Sequence, residues 1–272
     1  MTFQPVLVGS GLVAWQFLKS TGEAQRTTFN SSSEITRDTD YFEEKIGSIR
    51  TTDELVADRR LLRVALGAFG LQDDIDNKFF IKKILDEGGV DNDALAVKLA
   101  DERYKSFASA FAFDSPVGPR TQLSFFGNEI VTRFRDQSFE VAVGNQDNDL
   151  RLALNLSRAL PEIAEGESSD STKWFKVMGT TALRKVFETA LGLPSSFAQI
   201  DLDKQLEVFK EKSASRFGVS TIDELAQPEN LEKVVQSFLL QSQISQSASI
   251  GSGTIALSLL QSIPRTSISQ QY

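Results

Sequence analysis

Thr52 to Ile75 reads TDELVADRRLLRVALGAFGLQDDI. Leu55, Leu62, Leu66 and Phe69 recur at helical spacing and make one apolar stripe. Thr52 is a good N-cap, and Asp53 and Glu54 suit the positive end of a helix. Gly70 is a natural stop. Nothing in the stretch alternates as a half-buried strand would, and the same holds to either side of it. The expectation is an all-α protein, a multi-helix bundle of roughly ten helices at ordinary helix and connection lengths.

Upstream, Val13, Phe17 and Leu18 predict a short first helix after Gly11. Residues 20–34 (STGEAQRTTFNSSSE) are polar and read as a loop. Tyr41, Phe42, Ile46 and Ile49 share a helical face. Downstream, Phe80, Ile81, Ile84 and Leu85 mark a helix closed by Gly88 and Gly89. Asp91 or Asp93 then caps one carrying Leu95, Leu99, Tyr104, Phe107 and Phe111. Asp114 to Pro119 (DSPVGP) is the clearest break. Ile130, Val131, Phe134 and Phe139 resume the pattern, and a cap at Asp147 or Asn148 leads into Leu150 and Leu154. Pro161 is expected to bend or end that helix. Gly166 to Thr172 is a second polar break. The predicted core includes Leu62, Leu66, Phe69, Phe107, Phe111, Leu154, Val186, Leu191 and Phe238.

The second half echoes the first. Arg63 to Leu71 reads RVALGAFGL, and Lys185 to Leu193 reads KVFETALGL. Ile75–Asp76 and Ile200–Asp201 follow, then helix-like runs from Lys78 and from Lys204, and later Ser106–Phe107 and Ser237–Phe238. A competing alignment pairs Thr52–Leu55 with Thr221–Leu225. The expected organisation is an N-terminal helix and polar loop (1–35), helical unit 1 (36–113), connecting helices (114–169), helical unit 2 (170–247) and a Ser/Gln-rich segment (248–272). In that last segment Ile255, Leu259, Leu260 and Ile263 predict a short docked helix on a flexible linker. They are candidate partner contacts.

The chain of 272 residues holds no histidine and no cysteine. Serine–histidine triads, thiol nucleophiles, zinc fingers and histidine-ligated haem are therefore excluded. Neither cofactor nor transition metal is expected. The 20 Phe against 3 Tyr and 2 Trp favour dry helix–helix packing. A formal charge of −8 argues against nucleic acid and anionic membrane surfaces. No apolar run reaches the ~18 residues of a membrane span, and Met1 to Ala14 lacks the basic start of a signal peptide. Membrane insertion is not expected, and the expected location is the cytoplasm.

Gly9-Ser10-Gly11-Leu12-Val13-Ala14 after Val6-Leu7-Val8 matches G-x-G-x-x-A, but no second strand with an acidic end follows, so a loop-to-helix start is favoured. Asp73, Asp74 and Asp76 (DDID) carry the alternative of a magnesium-dependent carboxylate enzyme, at a spacing too short for paired helical sites. Three D-x-D pairs (Asp91/Asp93, Asp147/Asp149, Asp201/Asp203) lack the rest of a calcium loop and suit helix caps. Arg59, Arg60 and Arg63 could grip a phosphate or an acidic partner, or make a solvated face of local ion pairs.

Gly11 to Thr21 (GLVAWQFLKST), Thr52 to Ile75, Phe139 to Leu154 (FEVAVGNQDNDLRLAL) and Val186 to Gln205 (VFETALGLPSSFAQIDLDKQ) together resemble a family of uncharacterised alphaproteobacterial proteins defined by a domain of unknown function. The resemblance implies an all-helical protein with no assigned activity, encoded among flagellar genes. It transfers no catalytic residue. The expected function is non-catalytic protein binding, in flagellar assembly if the resemblance holds. The alternatives are the carboxylate enzyme and a helical module that binds a small molecule or peptide. The oligomeric state is not legible.

Overall fold

The computed structural model describes residues 3–99 and 101–261, and among them the chain is all helix and connection, with no strand. The α-helices are α1 (Gly11–Asn30), α2 (Ser33–Lys45), α3 (Thr52–Ala57), α4 (Arg59–Gly67), α5 (Lys78–Glu87), α6 (Leu95–Lys98), α7 (Glu102–Phe111), α8 (Phe126–Gly144), α9 (Asn148–Ala164), α10 (Asp170–Gly179), α11 (Thr181–Ala190), α12 (Leu202–Phe217), α13 (Ile222–Leu225) and α14 (Pro228–Gln261). They exceed the ten expected because Asp58 splits one predicted helix, the segment between α6 and α7 splits another, and α6 and α13 are one turn each.

The splits have local causes. Thr51, not Thr52, caps α3, in a reciprocal pair with Glu54. Asp58 then leaves helical geometry, and its carboxylate accepts from the N–H groups of Arg60 and Leu61 to start α4. Likewise Asp101, not Asp91 or Asp93, caps α7 through the N–H of Arg103. Pro161 does not end α9, which runs on to Ala164. Its missing N–H falls in the last turn, where one lost hydrogen bond is tolerated.

The loop predicted over residues 20–34 is instead mostly helix. Leu18, Gln25 and Phe29 recur at helical spacing and are buried. Thr21, Thr27 and Thr28 turn their hydroxyls back to the carbonyls of Phe17, Glu23 and Ala24 at 2.8–2.9 Å, so their polar groups are satisfied within the helix. Only the turn from Ser31 interrupts it before α2. The predicted linker after Gln241 is also absent. α14 is unbroken for 34 residues from Pro228 to Gln261. Ile255, Leu259 and Leu260 belong to that helix, and Ile263 lies outside the described residues.

Two trios of helices organise the body. α4 packs on α2 and α8; α11 packs on α9 and α14; α8 and α9 join the trios. The two segments that echo each other in sequence, 63–71 and 185–193, also share local geometry. Asp58 (φ −89°, ψ 101°) is the one-residue joint into α4, and Thr180 (φ −94°, ψ 108°) is the one-residue joint into α11. Gly70 and Gly192 then close the helices at φ 69° and 67°. In each half the residue after that glycine bonds five residues back, Leu71 N–H to the Leu66 carbonyl at 2.9 Å and Leu193 N–H to the Glu188 carbonyl at 2.8 Å. Val64 and Val186 occupy equivalent positions between joint and glycine, and both are fully buried. A short 3₁₀ turn follows each glycine, Gln72–Asp74 and Ser195–Gln199. The later echo is not matched by packing: Phe107 lies on α7, whereas the helix that meets α4 as α14 meets α11 is α8. The shared DEL of α3 and α13 reflects cap chemistry, since Thr51 and Thr221 each accept from the N–H of a glutamate three residues on.

The predicted core residues are buried except Leu154, which is partly exposed. Aromatic rings sit in clusters in each half. Phe69, Phe107, Phe111 and Phe126 form a chain of contacts with centroids 5.0–6.4 Å apart. Trp174 meets Phe187 and Phe209 at 5.3 and 5.7 Å. Among the described residues no helix is long and apolar enough to cross a membrane.

Candidate functional site

Residues Phe3 to Val8 precede α1 without regular secondary structure, with Phe3 and Leu7 packed against the core, as a strap. Gln25 holds this strap by its backbone. The Val6 N–H donates to Oε1 of Gln25 at 2.7 Å, and Nε2 of Gln25 donates to the Val6 carbonyl at 3.1 Å. Nε2 of Gln146 donates to the Pro5 carbonyl at 2.6 Å. Gly9 and Gly11, both at positive φ, turn the strap into α1. That is the role of the glycines in the G-x-G-x-x-A motif: Val6 to Val8 is no strand, so a dinucleotide fold is excluded.

Beside the strap lies a groove of roughly 380 Å³ between α2, α4 and α8. Phe3, Phe29, Ile35 and Phe134 give it apolar walls; Asp38, Arg63, Gln137 and Asn145 are among its polar groups. Phe134 lies so close to Gly67 that a methyl group there would overlap the ring, which explains a glycine inside the buried end of α4.

Asp38 is the unusual member. It is buried on the same stripe of α2 as Ile35 and Phe42. Nη1 of Arg63 donates to its Oδ2 at 3.1 Å. Arg60 and Arg37 approach Oδ1 at 3.8 and 3.9 Å, and that oxygen is buried without a hydrogen bond among the described residues. Three guanidinium groups thus surround one carboxylate.

The arginine cluster predicted from sequence is divided by the fold. Arg59 pairs with Asp76 at 2.6 Å. Arg60 stacks on Tyr41, 3.9 Å from the ring centroid, and donates to the Arg37 carbonyl. Arg63 alone of the three lines the groove. Tyr41 donates to Asp58 at 2.6 Å. That hydrogen bond to a carboxylate, before any other cause, raises the Tyr41 hydroxyl above its ordinary value. Burial pushes the Asp58 carboxyl upward, but the Tyr41 hydroxyl and the N–H groups of Leu61 and Arg60 outweigh it and hold Asp58 below the usual carboxylate range.

The DDID carboxylates do not converge. Asp74 accepts from Tyr104 at 2.7 Å and from Asn77 at 2.8 Å, while Asp76 turns to Arg59. Burial first, then the hydrogen bond to Asp74, pushes the Tyr104 hydroxyl up to about 12. Among the described residues no three acidic side chains are grouped to hold a metal ion. Of the D-x-D pairs, Asp147 and Asp201 cap α9 and α12, whereas Asp91 accepts from the Asp93 N–H in a turn ahead of α6, whose N-cap is Ala94. Magnesium titration of Asp73→Asn/Asp74→Asn against wild type is expected to give the same flat response in both. Stoichiometric binding lost in the variant would restore the enzyme reading.

Sequence reasoning missed Asp38, Gln25 and the strap. A signal for the first two was present: polar residues standing at i+3 or i+7 on otherwise apolar stripes.

The fold is shared with a solved protein. The crystal structure of a protein from Agrobacterium tumefaciens, determined by the Northeast Structural Genomics Consortium, superposes with a TM-score of 0.71 at 26% sequence identity, over 89% of this chain and 99% of that one. No curated protein matches the chain. Residues 68–231, more than half of the sequence, match the model of a family described as "Protein of unknown function (DUF1217)", and the chain belongs to that family.

Proposed function

We propose that the chain is a non-catalytic helical protein that acts by binding other proteins, with components of flagellar assembly as its partners. The groove beside the strap carries the binding half of this reading. Its apolar walls and the polar groups that converge on it, Asp38, Arg63, Gln137 and Asn145 among them, are features of a recognition site. Arg63 is the arginine placed to contact a partner there; Arg59 and Arg60 have their own local partners. The flagellar half rests on the family resemblance. Ser138→Trp would fill the groove from α8 without touching the core. The expected outcome is an unchanged melt, loss of the proteins that co-purify with the wild type from motile cells, and a swimming defect matching that of a deletion strain. A deletion strain that swims normally would remove the flagellar half. A filled groove that keeps every partner would remove the binding half.

The same groove also suits a small ligand or a peptide side chain, since its volume falls in the range of small-molecule sites. Saturable binding of a purified small compound, abolished by Ser138→Trp, would favour that second reading.

A further inference from the structure

A second cleft, of roughly 450 Å³, lies between α1, α8 and α9 and shares no lining residue with the groove. Leu18, Phe139 and Leu154 supply its apolar surface, one from each helix. The rest of its lining comes from one stripe of α1, where Lys19, Gly22, Glu23, Arg26 and Asn30 recur at helical spacing.

The glycine in that stripe answers no need of the fold. Gly22 sits in the middle of a helix of 20 residues, where glycine is less stable than any ordinary side chain. Packing does not call for it either, because a Cβ added at Gly22 would meet nothing within 4 Å. Its effect is to leave the cleft open against the backbone of α1.

The charges of the cleft are matched unevenly. Glu232 of α14 neutralises Lys19 at 2.7 Å, and Asp136 of α8 neutralises Arg26 at 2.9 Å. The Arg26 guanidinium also stacks on Phe139, 4.7 Å from the ring centroid. Neither cation is left over for an anionic ligand. Glu23 differs: its carboxylate has no ion pair or hydrogen bond among the described residues. Asn30 adds a second acceptor, since its Oδ1 is buried without a hydrogen-bond partner among those residues. A buried acceptor calls for a donor.

We propose that this cleft binds an organic cation, an amine or guanidinium on an aliphatic stem, carried by a small molecule or by a basic side chain. The cationic head donates to Glu23 and Asn30, and the stem lies against Leu18, Phe139 and Leu154. A bare divalent metal fits less well, because one carboxylate and one amide oxygen fall short of the roughly six ligands that calcium or magnesium takes. The formal charge of −8 favours the approach of cations to the whole chain. The proposal is independent of the groove reading.

Titration calorimetry of the full chain with agmatine, which carries an amine and a guanidinium on a short stem, tests it. One saturable site is expected, and pentanoate, an anion on a similar stem, is expected not to bind. Glu23→Gln is expected to weaken agmatine about tenfold, the loss of one charge-assisted hydrogen bond. Gly22→Leu fills the cleft and is expected to abolish binding while the melt holds or rises. Glu211→Gln, which removes a carboxylate from α12, and Ser138→Trp in the groove are expected to leave the affinity unchanged. The amide of N-acetyl-arginine separates the two sources: tighter binding than agmatine points to a partner's side chain, weaker binding to a free small molecule. An absence of saturable binding by both cations overturns the proposal. So does binding that survives Gly22→Leu, or that falls as far with Glu211→Gln as with Glu23→Gln.

Discussion

Phe107→Ala is expected to lower folding stability by about 3–5 kcal/mol, the usual cost of deleting a fully buried phenylalanine side chain. Phe107 is fully buried on α7, its ring 5.4 Å from Phe69 and 5.1 Å from Phe111. Those two rings link α7 to the end of α4 and, through Phe126, to the start of α8. Because a whole domain is stable by only about 5–15 kcal/mol, the variant should melt far below the wild type or accumulate unfolded. A thermal melt unchanged from wild type would contradict this account of the first-half core.

The second large effect concerns the seam between the two trios. Glu140 on α8 is buried, and Arg158 on α9 donates to it at 2.7 Å; Asn155 adds a hydrogen bond at 3.2 Å. The Arg158 guanidinium is lowered by burial, but Glu140 and then Glu162 more than restore it, so it stands above its ordinary value. Removing one partner of such a pair strands the other charge in a poorly solvated place. Glu140→Ala is expected to cost about 3 kcal/mol, the low end for a broken buried pair because Arg158 keeps Glu162. Replacing both, as Glu140→Leu/Arg158→Met, should recover much of the loss, since apolar residues of similar volume can substitute for a buried ion pair. Urea unfolding of the three chains checks this. A double variant no better than the single would mean that the pair supplies something apolar packing cannot.

The helical class and most buried positions were legible because they depend on one signal, the recurrence of large apolar residues at helical spacing. Phe42, Leu62, Phe134 and Val186 announce themselves in that way. The misreadings came from polar composition standing in for conformation. Residues 20–30 look like a loop because threonine and serine prefer caps and turns, yet a threonine whose hydroxyl returns to the preceding turn is no obstacle to a helix. The Ser/Gln run after Gln241 misled in the same way. Caps were misplaced by single residues, as with Thr51 for Thr52, because several residues near a helix start have suitable side chains and only backbone geometry selects one. The groove was illegible for a different reason. Its walls come from Phe3, Phe29, Ile35 and Phe134, and no local pattern says that segments so far apart in sequence share a cleft.

The way Gln25 holds the strap has a consequence for what evolution may change there. Its amide reads the N–H and carbonyl of residue 6, which every amino acid except proline offers alike. Gln146 does the same for the carbonyl of residue 5. The anchoring bonds therefore place no demand on the side chain at position 6 beyond excluding proline; Val6 and Val8 are each about half exposed. A change of side chain at residue 6 leaves the two bonds to Gln25 intact, because they are made by the backbone. Proline is the one substitution at residue 6 that would cut the strap loose from Gln25, since it removes the N–H that Oε1 accepts from.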